Sequence, residues 1–409
     1  MYGWQEVVRM TRFSAVLAVL LVGAVSACAR GPAPQANVPL PERVSQLAVA
    51  AGPGLVYLSA GSRIVVLDAA SGQVARELPA GTPSPDWRWV YTVGQGQLQK
   101  LDTATGQAAA GIPPPDWAQA VRTSADGTWL VLTGASTGPP SRFEVMDNGF
   151  TRKPVTVTLP GAFTFDGLSN DGMRLYLLEW VRQGSYQVRM YDLARGLLYP
   201  NVIADKREVG QLMSGEALTS LTTSDGSAQL TLYQQSAKNE AFVHELPIGW
   251  DPHSNPFAWC EDLPAPASGW GFVKGARDHF YAVNPQAGWV VDMKSRFSGA
   301  GGNSRQAHTG VTARAPQNGL PPAAAVSPDG DRLFLSTWPG LVAVDTGSLK
   351  VTGRFLDGER IRGLGFAPDG SALYAVSEAG SLLRIDPRTM VKVSDVRLGA
   401  PLEAILHTT

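Results

Sequence analysis

A few residues in this chain stand apart for the chemistry their types allow. His244 is followed by Trp250, Asp251, His253, Trp259 and Cys260. Imidazole, carboxylate and thiol groups are zinc ligands, and zinc sites present them at short, regular intervals. The intervals here match no such pattern, so the sequence points to no metal. Cys260 reads instead as a small apolar residue of an outer strand. Residues 298–308 are glycine-rich, as phosphate cradles are, but no strand-to-helix pattern and no Gly-Lys-Ser/Thr follows. That stretch is expected to be a long loop running on to Pro322. No nucleophile elbow presents a serine, no cofactor is implied, and no catalytic residue is assigned. What remains are anchors for a partner: Trp180 with Arg182, Trp250, His253 and Trp338, since Trp and Arg often anchor interfaces. Trp180 and Trp338 fall in gaps between consecutive strands. The competing reading is that each Trp covers its own core.

The elements that must position these residues repeat. Ser327-Pro328-Asp329-Gly330 precedes Arg332-Leu333-Phe334-Leu335-Ser336 and leads to Leu341-Val342-Ala343-Val344-Asp345. Ala367-Pro368-Asp369-Gly370 precedes Leu373-Tyr374-Ala375-Val376 and leads to Leu382-Leu383-Arg384-Ile385-Asp386, so Asp329 and Asp369 lie 40 residues apart. Pro and Gly suit a tight turn, the apolar runs suit short strands, and the strand-ending Asp suits a second turn. The cassette recurs at Asp86, Asp126, Asp171 and Asp225, and in weaker form around Leu55–Asp68 and 270–292. A repeat of about 40 residues with four short strands is one blade of a β-propeller. The fold class is therefore all-β, a single propeller over residues 45–409 built of four-stranded antiparallel blades. The repeats count to eight, with seven as the alternative. A final strand near residues 401–406 would close the ring.

Trp89-Val90-Tyr91-Thr92-Val93 and Leu373-Tyr374-Ala375-Val376-Ser377, with the turns around them, resemble the YVTN-type propeller repeats of bacterial surface and periplasmic proteins. The resemblance covers most of residues 45–400 and speaks for fold more than for function. It departs at Trp87, which stands where the turn glycine belongs, and in the irregular unit from 205 to 265. Some similar propellers hydrolyse lactones, which keeps a hydrolase using the central channel open as an alternative.

Residues 13–25 are an uncharged apolar run preceded by Arg9 and Arg12. It is short of the roughly 20 residues that span a bilayer and has the length and flanks of a signal peptide. Met10-Thr11-Arg12-Phe13 would serve as an alternative start. The run ends in Val25-Ser26-Ala27-Cys28, which resembles the lipobox of bacterial lipoproteins. That resemblance implies cleavage before Cys28, a lipid on its sulfur and a membrane partner. Residues 28–44 follow as a Pro-rich tether with little to bury.

Composition agrees. The 44 glycines and 30 prolines imply many turns, and charged residues are only 17%. A formal charge of −1 gives no basic excess, so nucleic acid is not an expected partner. The aspartates are consumed by turns. The expected function is thus an exported, envelope-anchored binding or scaffold module for an unassigned protein or small molecule, or a subunit of an envelope complex.

Overall fold

The computed structural model describes residues 54–134, 138–205, 210–249, 257–297, 304–311, 313, 321–398 and 402–409. The leader, Cys28, the tether, Trp250, Asp251 and His253 lie outside them. The described strands form eight sheets in chain order. Blades 1 to 8 occupy residues 55–79, 82–112, 120–159, 163–198, 216–263, 271–308, 324–355 and 361–397. The inner strands of blades 5 and 6, 6 and 7, 7 and 8, and 8 and 1, and the first two strands of blade 2 with the inner strand of blade 3, meet across their seams, which places the inner strands nearest the axis. Eight blades, not seven, make the ring.

Blade 1 draws only three strands from its own stretch. Its innermost strand is Ala404–Thr408, paired antiparallel with Leu55–Ala60 through Val56↔Thr408, Tyr57↔His407, Leu58↔Ile405 and Ser59↔Ala404. Both ends of the propeller thereby share one sheet. The 298–322 stretch is not all loop: Arg305–His308 pairs with Trp289–Lys294 as the outer strand of blade 6. A polar strand with half its groups in water carries little apolar periodicity, so the sequence pattern conceals it.

The turns explain the repeat. Ser124 Oγ donates to Asp126 Oδ1 at 2.6 Å and accepts the Trp129 N–H at 3.1 Å, while Asp126 Oδ1 also accepts the Thr128 N–H at 3.0 Å. Ser84, Ser169 and Ser327 do the same with Asp86, Asp171 and Asp329. The following glycines, Gly127, Gly172, Gly226, Gly330 and Gly370, all have φ between 67° and 84°. The strand-ending aspartates cap the second turn, as when Asp68 Oδ1 accepts the Ala70 and Ser71 N–H groups. Cationic side chains then tie each turn to the blade before it: Arg76 donates to Thr103 O at 2.6 Å, Lys100 to Asn148 O at 3.1 Å, and Arg305 to Thr346 O at 3.0 Å.

Apolar residues fill every seam. Among the described residues there are eight core clusters, one for each pair of neighbouring blades. On the axis the inner strands of blades 8 and 1 close tightly. A Cβ on Gly363 would lie 2.7 Å from Ile405 N, and one on Gly365 would lie 2.8 Å from Ile405 Cγ2. A cavity of about 40 Å³ persists beside them, lined by Lys274, Ala325, Gly363, Ile405 and His407 among others, room for a few waters at most.

Trp87 takes the turn position that glycine holds elsewhere, with φ 54°. Left-handed backbone costs a residue with a Cβ about 1–2 kcal/mol. The ring is 2% exposed and stacks on His407 of the closing strand, centroids 4.9 Å apart and planes 3° from parallel. Burying a tryptophan is worth about 3–5 kcal/mol, so packing wins over strain. Trp87→Gly should relieve the backbone yet lower stability by about 2–4 kcal/mol, read by urea unfolding. A neutral or stabilising result would show that the stack contributes nothing.

Candidate functional site

Blades 4 and 5 are where the repeat is most disturbed. The strands Arg174–Arg182 and Ser185–Asp192 form a long hairpin. The chain then leaves blade 4, and Ala204–Asp205 lies parallel along the outer strand Phe257–Leu263 of blade 5. Asp205 Oδ2 accepts the Cys260 N–H at 2.9 Å. Met213–Ser214 returns to pair with Ser185–Tyr186. This added stretch fastens one blade to the next. Cys260 is half-buried in that outer strand.

The proposed anchors fall in different surroundings. Trp180 is within the second strand of blade 4 rather than in a gap. It is half-buried, its Nε1 donates to Thr164 Oγ1 at 3.1 Å, and its ring meets Tyr186 edge-on at 5.0 Å. Arg182 is exposed at the same strand's end. Trp338 is 6% exposed, with the Arg360 guanidinium 5.9 Å above its ring. Trp250 and His253, outside the described residues, follow Gly249, the last described residue before blade 5's outer strand.

Sequence reasoning missed the polar core of this seam. Phe165-Asp166-Gly167 has the look of another Asp-Gly turn, but it lies inside the inner strand of blade 4. The register slips between Phe165 and Gly167, leaving Asp166 as the bulged residue; bulges of this kind re-aim a side chain. Gln229 of blade 5 donates to Asp166 O at 2.8 Å and to Asp166 Oδ1 at 3.3 Å. The other carboxyl oxygen, Oδ2, is buried without a partner. Burial pushes this carboxyl up to about 7, against the smaller effect of the Gln229 hydrogen bond.

Behind it stand Tyr186 and Tyr233, ring centroids 5.9 Å apart. Their hydroxyls face each other without meeting hydrogen-bond geometry, and burial pushes both well above the ordinary phenol range. Tyr233 also stacks on Phe242 at 5.2 Å and meets His244 edge-on at 6.2 Å. The His244 Nε2 is buried and unpartnered, and burial pushes this imidazole down to about 4. The seam therefore holds groups that all stay uncharged near pH 6 but can donate or accept hydrogen bonds.

A second polar cluster sits at the seam of blades 6 and 7. His279 Nδ1 meets Asp292 Oδ1 at 2.7 Å, and Arg305 binds the same carboxylate. An Asp-His pair is two of the three members of a hydrolytic triad, but among the described residues no hydroxyl or thiol is bonded to this imidazole. Arg305 continues to Thr346 O and Gly347 O of blade 7, so the cluster works as a clamp between blades. Among the described residues no three His, Cys, Asp or Glu side chains are grouped to hold a metal ion, and no helix is long and apolar enough to cross a membrane.

No protein-family model matches the chain, and no curated protein does. Solved structures share its fold. Dihydro-heme d1 dehydrogenase NirN in complex with DHE is 14% identical, over 89% of this chain and 80% of that one, with a TM-score of 0.51. Apo AztD from Citrobacter koseri is 10% identical, over 86% of this chain and 96% of that one, with a TM-score of 0.56. The fold is thus a propeller architecture found among bacterial proteins, and at these identities the likeness concerns fold alone.

The seam makes stability depend on pH. A carboxyl raised in the folded state contributes fully below its unfolded value, near 3.8, and loses that contribution as pH rises through the folded value of about 7. Asp166→Asn removes the ionisation. The variant should match the wild type in melting temperature at pH 4 and exceed it by pH 8, the gap opening between the two. An Asp166→Asn variant that is equally or less stable at pH 8 would show that the carboxyl is not held neutral. His244 and His407, both down to about 4 by burial, act at the acid side. Their neutral forms stabilise the fold above pH 6.5, and this is lost as pH falls through about 4. His407→Phe should flatten the decline of melting temperature between pH 6.5 and 4; an unchanged decline contradicts it.

Proposed function

We propose that this chain is an exported lipoprotein, held at the cell envelope by a lipid on Cys28, whose propeller serves as a binding or scaffold module. The observation that carries the binding reading is a division of labour among polar residues. The repeat-borne aspartates satisfy turns, and the largest group of buried polar atoms without a partner among the described residues lies at the seam of blades 4 and 5. The same blades carry the added strand at Ala204–Asp205 and the exposed Arg182 beside Trp180. Positions that break a fold's own local rule are where function is expected.

The anchoring reading rests on the apolar run of residues 13–25 and on Val25-Ser26-Ala27-Cys28. Two or more acyl chains give firm membrane attachment, and the Pro-rich residues after Cys28 give reach. A channel hydrolase needs several acidic or imidazole groups converging on one substrate. The described inner strands offer Asp166, Glu216 and His407; among the described residues no three acidic or imidazole groups come together, and His407 is covered by Trp87. This favours binding over hydrolysis.

Labelled palmitate should enter the wild-type protein and not Cys28→Ser, and the variant should move from the membrane to the soluble fraction. Unlabelled wild type would refute the anchor. Cross-linking in the intact envelope should recover a partner that is lost in Trp180→Ala/Arg182→Ala; recovery unchanged by that pair would move the binding face elsewhere.

A further inference from the structure

Among the described residues, seven of the eight blades guard their outer edges. An edge strand presents open N–H and C=O groups, and folded proteins blunt it with proline, with short length or with a cover. Val74–Pro79 of blade 1 ends in proline. Ala108–Ile112 of blade 2 runs into Pro113, Pro114 and Pro115, and Val155–Leu159 of blade 3 lies between Pro154 and Pro160. The outer strands of blades 4 and 6, Leu197–Leu198 and Arg305–His308, are short. That of blade 5 is partly covered by Ala204–Asp205. That of blade 7 carries Gly353, on which Met390 of the next blade packs. Val391–Arg397 of blade 8 is the exception. It runs seven residues without proline or glycine, and no described strand pairs with its outer side. Val391 and Val393 are 58% and 59% exposed, the most exposed large apolar side chains among the described residues. The register slip at Val393 is no added guard, since blades 1, 2 and 7 slip at the equivalent place.

We propose that the outer edge of blade 8 is a self-association surface, on which a second copy of this chain seats the same strand antiparallel about a two-fold axis. The order of its charges selects a second copy as the occupant. A two-fold contact has to be self-complementary, because each residue meets in the other copy what that residue's counterpart meets in return. Val391-Lys392-Val393-Ser394-Asp395-Val396 carries a cation and an anion at mirrored positions. Antiparallel pairing brings Lys392 of each copy opposite Asp395 of the other, and Val391 opposite Val396. Opposite charges facing across a strand pair are favourable, and like charges are not. In-register parallel pairing sets Lys392 against Lys392 and Asp395 against Asp395. Within one copy the Lys392 ammonium meets Asp395 at 3.1 Å and Glu359 at 3.4 Å, so the two strand charges lie on one side. Exposed pairs of this kind contribute little, and exchanging them for pairs across the axis loses little. The contact joins two four-stranded blades into one eight-stranded sheet and takes the exposed valines out of water. It uses neither blade of the proposed binding face, so it stands apart from the binding reading.

Native mass spectrometry of the full chain released from detergent, with one population isotopically labelled, tests this. Wild-type protein should give dimers at micromolar concentration, and mixed-label dimers after exchange. Lys392→Asp and Asp395→Lys each place like charges across the axis, so self-association should weaken by about ten-fold or more in either variant. An equal mixture of the two variants restores both opposite-charge pairs and should give heterodimers close to the wild-type yield. A role of Lys392 confined to its own blade would not produce that recovery. Val391→Ser/Val393→Ser changes two exposed side chains outside the core and should weaken the dimer independently. A monomeric wild type, single variants that dimerise as well as the wild type, or a mixture without heterodimers overturns the proposal. A monomeric wild type whose edge, carrying a photo-cross-linker at Val393, captures a different protein in intact cells overturns it as well and gives the edge to another chain.

Discussion

The pairing of Ala404–Thr408 with Leu55–Ala60 is the constraint on which everything else depends. A blade packs on two neighbours and has no core of its own, so each of the eight apolar seams is stable only if the next one is closed. Without the last strand, blade 1 would present an unpaired inner edge, and the seams on both its sides would open to water. The closing strand also reaches beyond its own sheet. Ile405 packs under the glycines of blade 8, and His407 stacks on Trp87 of blade 2. One short strand thereby ties three blades together, and unpaired edges are the usual route to aggregation.

That closure sets the frame for the exceptional seam. Most of the ring is built from interchangeable parts: a Ser-Asp-Gly turn, two apolar strands, an Asp-capped turn and a cation reaching forward to the next blade. Interchangeable parts have no reason to leave polar atoms open. At blades 4 and 5 the parts are replaced, by a longer hairpin, an added parallel strand and the bulge at Asp166. The open polar atoms appear in the same place. The other seams hold fewer buried polar atoms without a partner among the described residues.

The sequence displayed the fold more fully than the site. The spacing of Asp329 and Asp369, with the strands between them, is enough for blades, because the turn chemistry is local; the repeats count to eight with seven left open, and the eight sheets decide it. The closing strand was legible for the same reason, as a short apolar run left over at the end. The fourth strand of blade 6 was not, since Arg305–His308 has no apolar face to betray it. Asp166 was hidden by mimicry: Asp-Gly is a turn elsewhere in this chain and a bulge here, and only the pairing of Phe165 and Gly167 with the next strand tells them apart. Tyr186 and Tyr233 look like ordinary strand residues, and His244 stands out only as a member of a metal-like set. Their significance comes from facing one another across a seam between strands some 50 residues apart in sequence, which no local pattern reports. Trp180 was noticed, but as a loop residue, because its strand runs longer than the repeat predicts.

Amide hydrogen exchange on a chain ending at residue 401 tests the central claim most directly. If the ring depends on its closing strand, protection should collapse in Leu55–Ala60, in Ile361–Phe366 and around Trp87, and the melting transition should broaden and fall. Exchange and melting that match the full-length protein would contradict the account, because the ring would then be held without the strand that closes it.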